Sequence, residues 1–242
     1  MTESTMGAAQ QSSTPNGAVL SSTLAGLFRP LAVAASELWG VCDPRHLLPD
    51  ELRCVPHARL KRLQDFAAGR ACARRALAEY GFEGFPVRMT SDRLPAWPAG
   101  FVGSITHTAG YCGAVVTSAR TVRSIGIDTE IVEQVSADLW PRICTARELC
   151  RVNALCSGSA VRAAALLFSA KEAWYKCQYP LSRKLFEFRQ VTIEWDDLEA
   201  GCGQLRVFPE PTAEPGRQAP VPLSGRFCFH GNYVSAGVAC HG

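Results

Sequence analysis

Two carboxylates lie two residues apart in the segment Ile125-Gly126-Ile127-Asp128-Thr129-Glu130, at the end of a short apolar run. Residues i and i+2 of an extended chain point to the same side, so the side chains of Asp128 and Glu130 would lie next to one another. Like charges held this close are costly without a cation. A hard divalent ion such as Mg²⁺ would remove the repulsion, because it prefers carboxylate, water and phosphate oxygens. The alternative is a solvated strand end.

A second charged set lies within Phe168-Ser169-Ala170-Lys171-Glu172-Ala173-Trp174-Tyr175-Lys176. Glu172 and Lys176 have the four-residue spacing at which opposite charges pair on one face of a helix. By itself such a pair is typical of an exposed surface. The apolar neighbours Leu166 and Leu167 instead indicate a largely buried helix, in which charged groups need partners. A metal ion with a phosphate would supply them.

A histidine follows a third apolar run, in Gly103-Ser104-Ile105-Thr106-His107-Thr108. The small hydroxyl side chains around His107 could donate hydrogen bonds to a phosphate. A loop histidine held by ordinary hydrogen bonds explains the pattern as well.

Two helices would have to position these groups. Apolar spacing of three and four residues predicts a helix over 56–80, which would end before Gly81. Its polar side is basic and carries Arg59, Lys61, Arg62, Arg70, Arg74 and Arg75. A longer helix is predicted over 159–178, with Pro180 ending it. A capping box formed by Thr145 and Glu148 comes before it.

Short β-branched runs between turn signals predict strands over 101–105, 112–117, 123–128, 191–195, 205–208, 226–230 and 233–239. Helix and strands, then helix and strands again, predict an α+β fold of two comparable halves. We expect a disordered Ser- and Thr-rich leader over 1–23, an N-terminal half over 24–122 and a C-terminal half over 123–242. The proline-rich stretch 209–222 is predicted to be an irregular loop, either mobile or in contact with a partner.

Composition narrows the class of protein. With 242 residues, 47% of them hydrophobic and 19% charged, the chain is globular and can bury a substantial core. No apolar run reaches the ~18 residues of a spanning helix and no secretory signal opens the chain, so we expect a cytoplasmic protein without a membrane partner. A net charge of +3 is too small for a general nucleic-acid-binding protein. The eleven cysteines are odd in number and form no Cys-x-x-Cys pair, which predicts reduced thiols.

Together, the basic helix, the hydroxyl-and-histidine loop, the carboxylate pair and the Lys-Glu helix resemble the 4′-phosphopantetheinyl transferases of the broad-specificity Sfp and EntD type. The strongest matches are 126–130 and 168–176; 69–74 and 93–98 are weaker and closest to the EntD-like branch. The resemblance extends from about Arg59 to the C-terminus. It implies a fold of two pseudo-symmetric α+β halves, with coenzyme A in the cleft between them.

The resemblance also implies an enzyme activity. Such a monomeric enzyme would transfer the 4′-phosphopantetheine arm of coenzyme A to a serine of an apo acyl or peptidyl carrier protein and release adenosine 3′,5′-bisphosphate. It would activate polyketide, nonribosomal peptide or siderophore synthases. The metal would be Mg²⁺, or alternatively Mn²⁺, held by Asp128, Glu130 and Glu172. Glu172 would also act as base, with Asp128 and Lys171 as the other catalytic residues.

Carried over by position, the residues that would bind coenzyme A are Arg62, Arg70, Arg93, Ser104, Thr106, His107, Lys171 and Lys176. An arginine fork suits a terminal phosphate. The apolar segment 135–155, with Leu139, Trp140 and Ile143, is a candidate for carrier docking, although core packing explains it equally well. Two other functions remain open: a coenzyme A or carrier-protein binding module without catalysis, and a phosphohydrolase that uses the same metal with water as acceptor.

Overall fold

The computed structural model describes residues 23–209 and 222–242. The predicted leader therefore lies outside the described residues except for Thr23, and the predicted proline-rich loop except for its two ends. The helices are α1 Thr23–Gly26, α2 Pro49–Leu52, α3 Leu60–Ala78, α4 Trp140–Ile143, α5 Ala146–Asn153 and α6 Ser157–Ser182. The strands are β1 Ala34–Trp39, β2 Phe101–Thr108, β3 Tyr111–Ser118, β4 Ser124–Ile131, β5 Val191–Trp195, β6 Cys202–Pro209, β7 Leu223–His230 and β8 Tyr233–Cys240.

The strands form two antiparallel sheets. One has the order β1-β3-β2 and packs against α3; the other has the order β4-β8-β7-β6-β5 and packs against α6. This confirms the predicted α+β class. β3 ends at Ser118 and β4 begins at Ser124, whereas the division of the chain into halves at residue 122 stays a prediction.

β1 was not predicted from the sequence. It is a half-buried strand at the edge of its sheet, next to β3, and its exposed end carries Trp39, which is 56% exposed. Because only part of its surface is buried, its sequence Ala-Ala-Ser-Glu-Leu-Trp lacks the β-branched run by which the other strands could be recognised.

α6 continues beyond Pro180 to Ser182, so the predicted end of this helix is wrong. Proline removes one backbone donor. The last turn is instead closed by the Arg183 N–H, which donates to the Tyr179 carbonyl at 2.9 Å, and by the Ser182 hydroxyl, which donates to the Gln178 side chain at 2.5 Å. These bonds hold the last turn, which lies beyond the proline.

Gly126 allows α6 to approach β4 closely. A Cβ atom at this position would lie 2.0 Å from the Ala173 carbonyl oxygen and 2.7 Å from the Cys177 backbone nitrogen. A side chain at residue 126 would therefore push the helix away from the strand. The close approach sets Asp128 on β4 beside the charged face of α6.

The prediction that all cysteines are reduced is wrong for one pair. Cys202 on β6 and Cys228 on β7 are directly opposite in the register of the two strands, and a disulfide joins them. The two residues are 26 positions apart in sequence, so cysteine spacing alone gave no sign of this pairing. Among the described residues, nine further cysteines are free thiols.

No helix in residues 23–209 or 222–242 combines the length and the apolar character needed to cross a bilayer.

Candidate active site

A cavity of about 470 Å³ lies between α3, the loop before β2, β2 itself, the start of β4, and α6. It brings together most of the residues predicted to bind coenzyme A. Those that line it are Arg62, Arg70, Arg93, Ser104, His107 and Lys176, together with the predicted base Glu172. Thr106 and Lys171 do not line it.

Ser104 and Thr106 join the two sheets. The backbone N–H of Ile127 donates to Ser104 Oγ at 3.1 Å, and that of Thr129 donates to Thr106 Oγ1 at 2.8 Å. Both side chains are buried. The predicted role of Thr106 as a ligand donor is therefore not supported, because its hydroxyl is directed toward β4 and away from the cavity.

The same strand directs His107 into the cavity. Side chains alternate along β2, so Thr106 meets β4 while His107 faces α3. Desolvation lowers the pKa of His107, and the nearby charges of Lys176 and Arg62 lower it further. At neutral pH the ring is mainly a neutral imidazole that can donate one hydrogen bond.

Asp128 is the centre of an acidic cluster. The Lys176 ammonium donates to Asp128 Oδ1 at 2.6 Å, and the Thr106 hydroxyl donates to the same oxygen at 3.4 Å. Ser169 on α6 fixes the backbone, since its hydroxyl donates to the Asp128 carbonyl at 2.9 Å. Within the described part of the chain, the second carboxylate oxygen, Oδ2, is buried and has no hydrogen-bond partner.

Two more carboxylates complete this cluster. Burial and repulsion from Asp128 raise the pKa of Glu130 to about 8. Burial also raises the pKa of Glu172, and Asp128 adds to this effect while Lys176 opposes it. For Lys176, desolvation lowers the pKa, but the carboxylates of Asp128, Glu172 and Glu130 outweigh it and raise the pKa overall.

These residues fit a hard divalent cation by charge and by donor type. Three carboxylates share one ammonium, and an unpartnered buried oxygen is present at their centre. Nowhere among the described side chains do three His, Cys, Asp or Glu groups already converge at metal-binding distance. At this site the Lys176 ammonium is bound to Asp128 Oδ1.

The arginines face the cavity from α3 and from the loop before β2. Arg70 is 5% exposed, and its guanidinium carbon lies 4.0 Å from the centre of the Phe66 ring. Burial lowers the pKa of Arg70 to about 10, and its Nε has no hydrogen-bond partner among the described residues. Arg62 lies over the same ring at 5.8 Å and is exposed. A buried arginine with an unused donor is suited to an anion.

Lys171 is not at the cavity, which contradicts its predicted contact with phosphate. Its ammonium is 1% exposed and donates to Glu148 Oε2 at 2.6 Å, to the Ile143 carbonyl at 2.8 Å and to the Phe188 carbonyl at 2.9 Å. All three ammonium protons are therefore used within the protein. Successive helix residues differ by about 100° in direction, so Lys171 points away from the cavity that Glu172 lines.

Glu148 is a residue whose importance the sequence analysis missed. It forms the predicted capping box with Thr145, which is confirmed, and its Oε1 also accepts the Ile193 N–H at 2.7 Å. The capping box pattern showed where Glu148 lies on α5, but it gave no sign of the buried Lys171 partner.

Tyr175 and Tyr179 also line the cavity and were missed. Their rings are stacked with centroids 5.3 Å apart. The signal was present, since residues 172, 175, 176 and 179 follow the spacing of one helix face. The candidate docking residues have a different environment: Ile143 is buried in the core, and Leu139 and Trp140 pack against it, so core packing accounts for all three.

The chain matches two family models, which are described as "4'-phosphopantetheinyl transferase N-terminal domain" over residues 50–117 and "4'-phosphopantetheinyl transferase superfamily" over residues 124–221. It is 37% identical to 4'-phosphopantetheinyl transferase PptT of Mycobacterium tuberculosis over 185 residues, which are 74% of this chain and 79% of the relative. It is 35% identical to 4'-phosphopantetheinyl transferase Npt of Nocardia iowensis over 217 residues, which are 87% of this chain and 96% of the relative.

Enterobactin synthase component D of Escherichia coli (strain K12) is 35% identical over 142 residues, which are 55% of this chain and 66% of the relative. A solved holo-(acyl-carrier-protein) synthase from Bacillus anthracis shares 21% identity with a TM-score of 0.37, over 49% of this chain and 96% of that one. The second family model covers the range that contains both motifs, 126–130 and 168–176. The chain belongs to the 4′-phosphopantetheinyl transferases.

Proposed function

We propose that the chain transfers the 4′-phosphopantetheine arm of coenzyme A to a serine of an apo carrier protein, in a reaction that depends on Mg²⁺. The observation that carries the proposal is the placement of the Asp128, Glu130 and Glu172 cluster next to a cavity lined by His107 and by four arginines, Arg62, Arg70, Arg93 and Arg123. Negative groups for a metal and positive groups for phosphates thus lie side by side.

The proposed reaction is a phosphoryl-type transfer. The serine oxygen forms a bond to the phosphorus that carries pantetheine, and the bond from that phosphorus to the bridging oxygen breaks. Adenosine 3′,5′-bisphosphate leaves with the electron pair, and the serine proton passes to Glu172. In the metal-free protein, burial raises the pKa of Glu172 above that of an exposed glutamate.

Asp128, Glu130 and Glu172 are the residues that would hold Mg²⁺. The bound ion would neutralise charge on the phosphate oxygens. Thr106 and Ser169 fix the Asp128 side chain and backbone, so the carboxylate is oriented before any ligand binds. Lys176 and His107 line the same cavity, and in this proposal they donate hydrogen bonds to phosphate oxygens.

The arginines account for binding of the nucleotide end. Arg70 is held by stacking on Phe66 and has an unused donor, so it suits a phosphate that carries more than one acceptor oxygen. Arg62 and Arg93 add charge from the more exposed rim of the cavity.

The test is to incubate the protein with coenzyme A, Mg²⁺ or Mn²⁺, and a panel of apo carrier proteins from polyketide, nonribosomal peptide and siderophore synthases. We expect a mass gain equal to the phosphopantetheine arm on at least one carrier. The similarity to enterobactin synthase component D makes siderophore carriers the first choice for the panel.

Asp128→Ala and Glu172→Ala should abolish the mass gain, whereas the exposed Glu133→Gln should not change it. Near-normal transfer by either alanine variant would contradict the proposed metal site. Binding of coenzyme A without transfer to any carrier would favour the binding module instead. Release of adenosine bisphosphate without a carrier would favour a phosphohydrolase.

A further inference from the structure

Two arginines adopt a backbone conformation that residues other than glycine rarely adopt. In residues 23–209 and 222–242, the non-glycine residues with positive φ are Arg93, at 65°, and Arg183, at 55°. Such positions are strained and persist where the surrounding structure maintains them, often at functional sites. The two arginines are far apart in sequence, but an ion pair between Arg183 Nη1 and Asp92 Oδ2 joins their segments.

Asp92 and Arg93 belong to a tight turn at the cavity. The Thr90 N–H donates to the Leu94 carbonyl at 2.8 Å, and the Arg93 N–H donates to the Thr90 carbonyl at 3.0 Å. The Thr90 hydroxyl donates to Asp92 Oδ1 at 2.5 Å. One oxygen of Asp92 thus stabilises the turn that maintains the Arg93 backbone, and the other meets Arg183.

Arg183 ends α6, the helix that carries the other side of the site. Its N–H caps the helix by donating to the Tyr179 carbonyl at 2.9 Å, and Tyr179 lines the cavity together with Glu172 and Lys176. Asp92 and Arg93 line the same cavity from the other sheet's side. The ion pair therefore lies at the rim of the cavity. It connects the turn that contains Arg93 to the end of α6, the helix that carries Glu172 and Lys176.

We propose that Asp92 and Arg183 are positioning residues that set the place of Arg93 relative to α6 and so strengthen binding of coenzyme A. The inference rests on the proposed function, which supplies the ligand. The Arg183 and Asp92 side chains are 55% and 34% exposed, so the pair should add little to the stability of the fold and should be sensitive to salt. Its main effect should be on ligand binding.

Arg183→Gly separates these two effects. Glycine adopts a positive φ without strain, so the helix end should be kept while the charged side chain is lost. We expect the melting temperature to stay the same or rise, and the Kd for coenzyme A, measured by calorimetry, to rise about two- to fivefold. A role in folding alone would lower the melting temperature instead.

Asp92→Asn removes the charge but keeps an acceptor for Thr90, and it should weaken binding equally. The double variant should bind no more weakly than either single variant, and Arg183→Lys should restore part of the affinity. In an Arg93→Ala background, Arg183→Gly should have no further effect. Arg120→Gln is the matched control, since it removes one exposed positive charge away from the cavity.

An unchanged Kd for coenzyme A in the single variants would overturn this inference. So would a double variant whose rise in Kd is the product of the rises for Asp92→Asn and Arg183→Gly. A third contradicting result is an equal loss of affinity from Arg183→Gly in the Arg93→Ala background. Its failure can be told from failure of the proposed function. If the wild-type protein binds coenzyme A but transfers nothing, only the proposed transfer fails, and the Kd values still decide the role of the pair. If the wild-type protein binds no coenzyme A, both are wrong.

Discussion

Lys176 donates a 2.6 Å hydrogen bond to one carboxylate oxygen of Asp128 and leaves the other oxygen buried without a partner among the described residues. Asp128 is 4% exposed, so its charge depends on this ammonium for compensation. Burial and the Asp128 charge raise the pKa of Glu130 to about 8 and also raise the pKa of Glu172, so both carboxyls would give up their protons more readily if a cation bound beside them. This arrangement underlies the proposal that a further cation binds here.

Lys176→Met should destabilise the metal-free protein. The substitution leaves the Asp128 carboxylate buried without its cation, which costs on the order of 3 kcal/mol of unfolding free energy. Urea unfolding in the presence of a chelator measures the loss, and adding Mg²⁺ should recover part of it. Lys61→Met, on the exposed face of α3, is the control and should unfold like the wild type. An unchanged unfolding free energy for Lys176→Met would mean that Asp128 is not charged in the folded protein.

Mg²⁺ should raise the melting temperature of the wild-type protein, because an ion that binds only the folded state stabilises it. Asp128→Asn should remove this increase, since it deletes the charge and offers one weaker acceptor. Thermal unfolding with and without Mg²⁺ measures the effect, and Glu133→Gln should respond to Mg²⁺ like the wild type. A full Mg²⁺ response in Asp128→Asn would place the cation elsewhere.

The sequence predicted the helices, the strands and the location of the site better than it predicted the partners of individual side chains. Apolar periodicity located α3 and α6, and the β-branched runs over 226–230 and 233–239 located β7 and β8, which are joined by a turn where Gly231 has a φ of 57°. These patterns are local, so one segment is enough to reveal them. The disulfide depends on the register of two strands, which no local pattern shows.

The errors at the site have the same origin. Lys171 adjoins Glu172 in sequence, but the helix turns it toward Glu148, and only the packing of α5 on α6 brings that partner within reach. Ser104 and Thr106 are residue types found in phosphate-binding loops, yet both hydroxyl oxygens accept hydrogen bonds from backbone N–H groups of β4. Residue type indicates what a side chain can do, whereas its partner depends on tertiary contacts.

Lys171→Met should reduce stability without changing the affinity for coenzyme A. It leaves the buried carboxylate of Glu148 without its cation, and removing one partner of a buried pair costs about 3–5 kcal/mol. Adding Glu148→Gln should recover part of the loss, because it removes the uncompensated buried charge, while its single amide oxygen still accepts one of the Thr145 and Ile193 N–H groups. Urea unfolding and calorimetry with coenzyme A separate the two effects. A large rise in the Kd of Lys171→Met for coenzyme A, with normal stability, would instead support the predicted contact between Lys171 and a phosphate.

Thr106→Val and Thr106→Ser form a matched pair that tests how Asp128 is oriented. Valine has nearly the shape of threonine but leaves the buried Thr129 N–H without an acceptor and removes one of the two donors to Asp128 Oδ1, which should cost about 1–3 kcal/mol of unfolding free energy. The transfer rate should fall with it, because the carboxylate loses one of the contacts that fix it. Serine keeps both hydrogen bonds and should retain the wild-type rate. If Thr106→Ser slowed transfer as much as Thr106→Val, the methyl group rather than the hydroxyl would be what positions Asp128, and the sheet junction would act through packing alone.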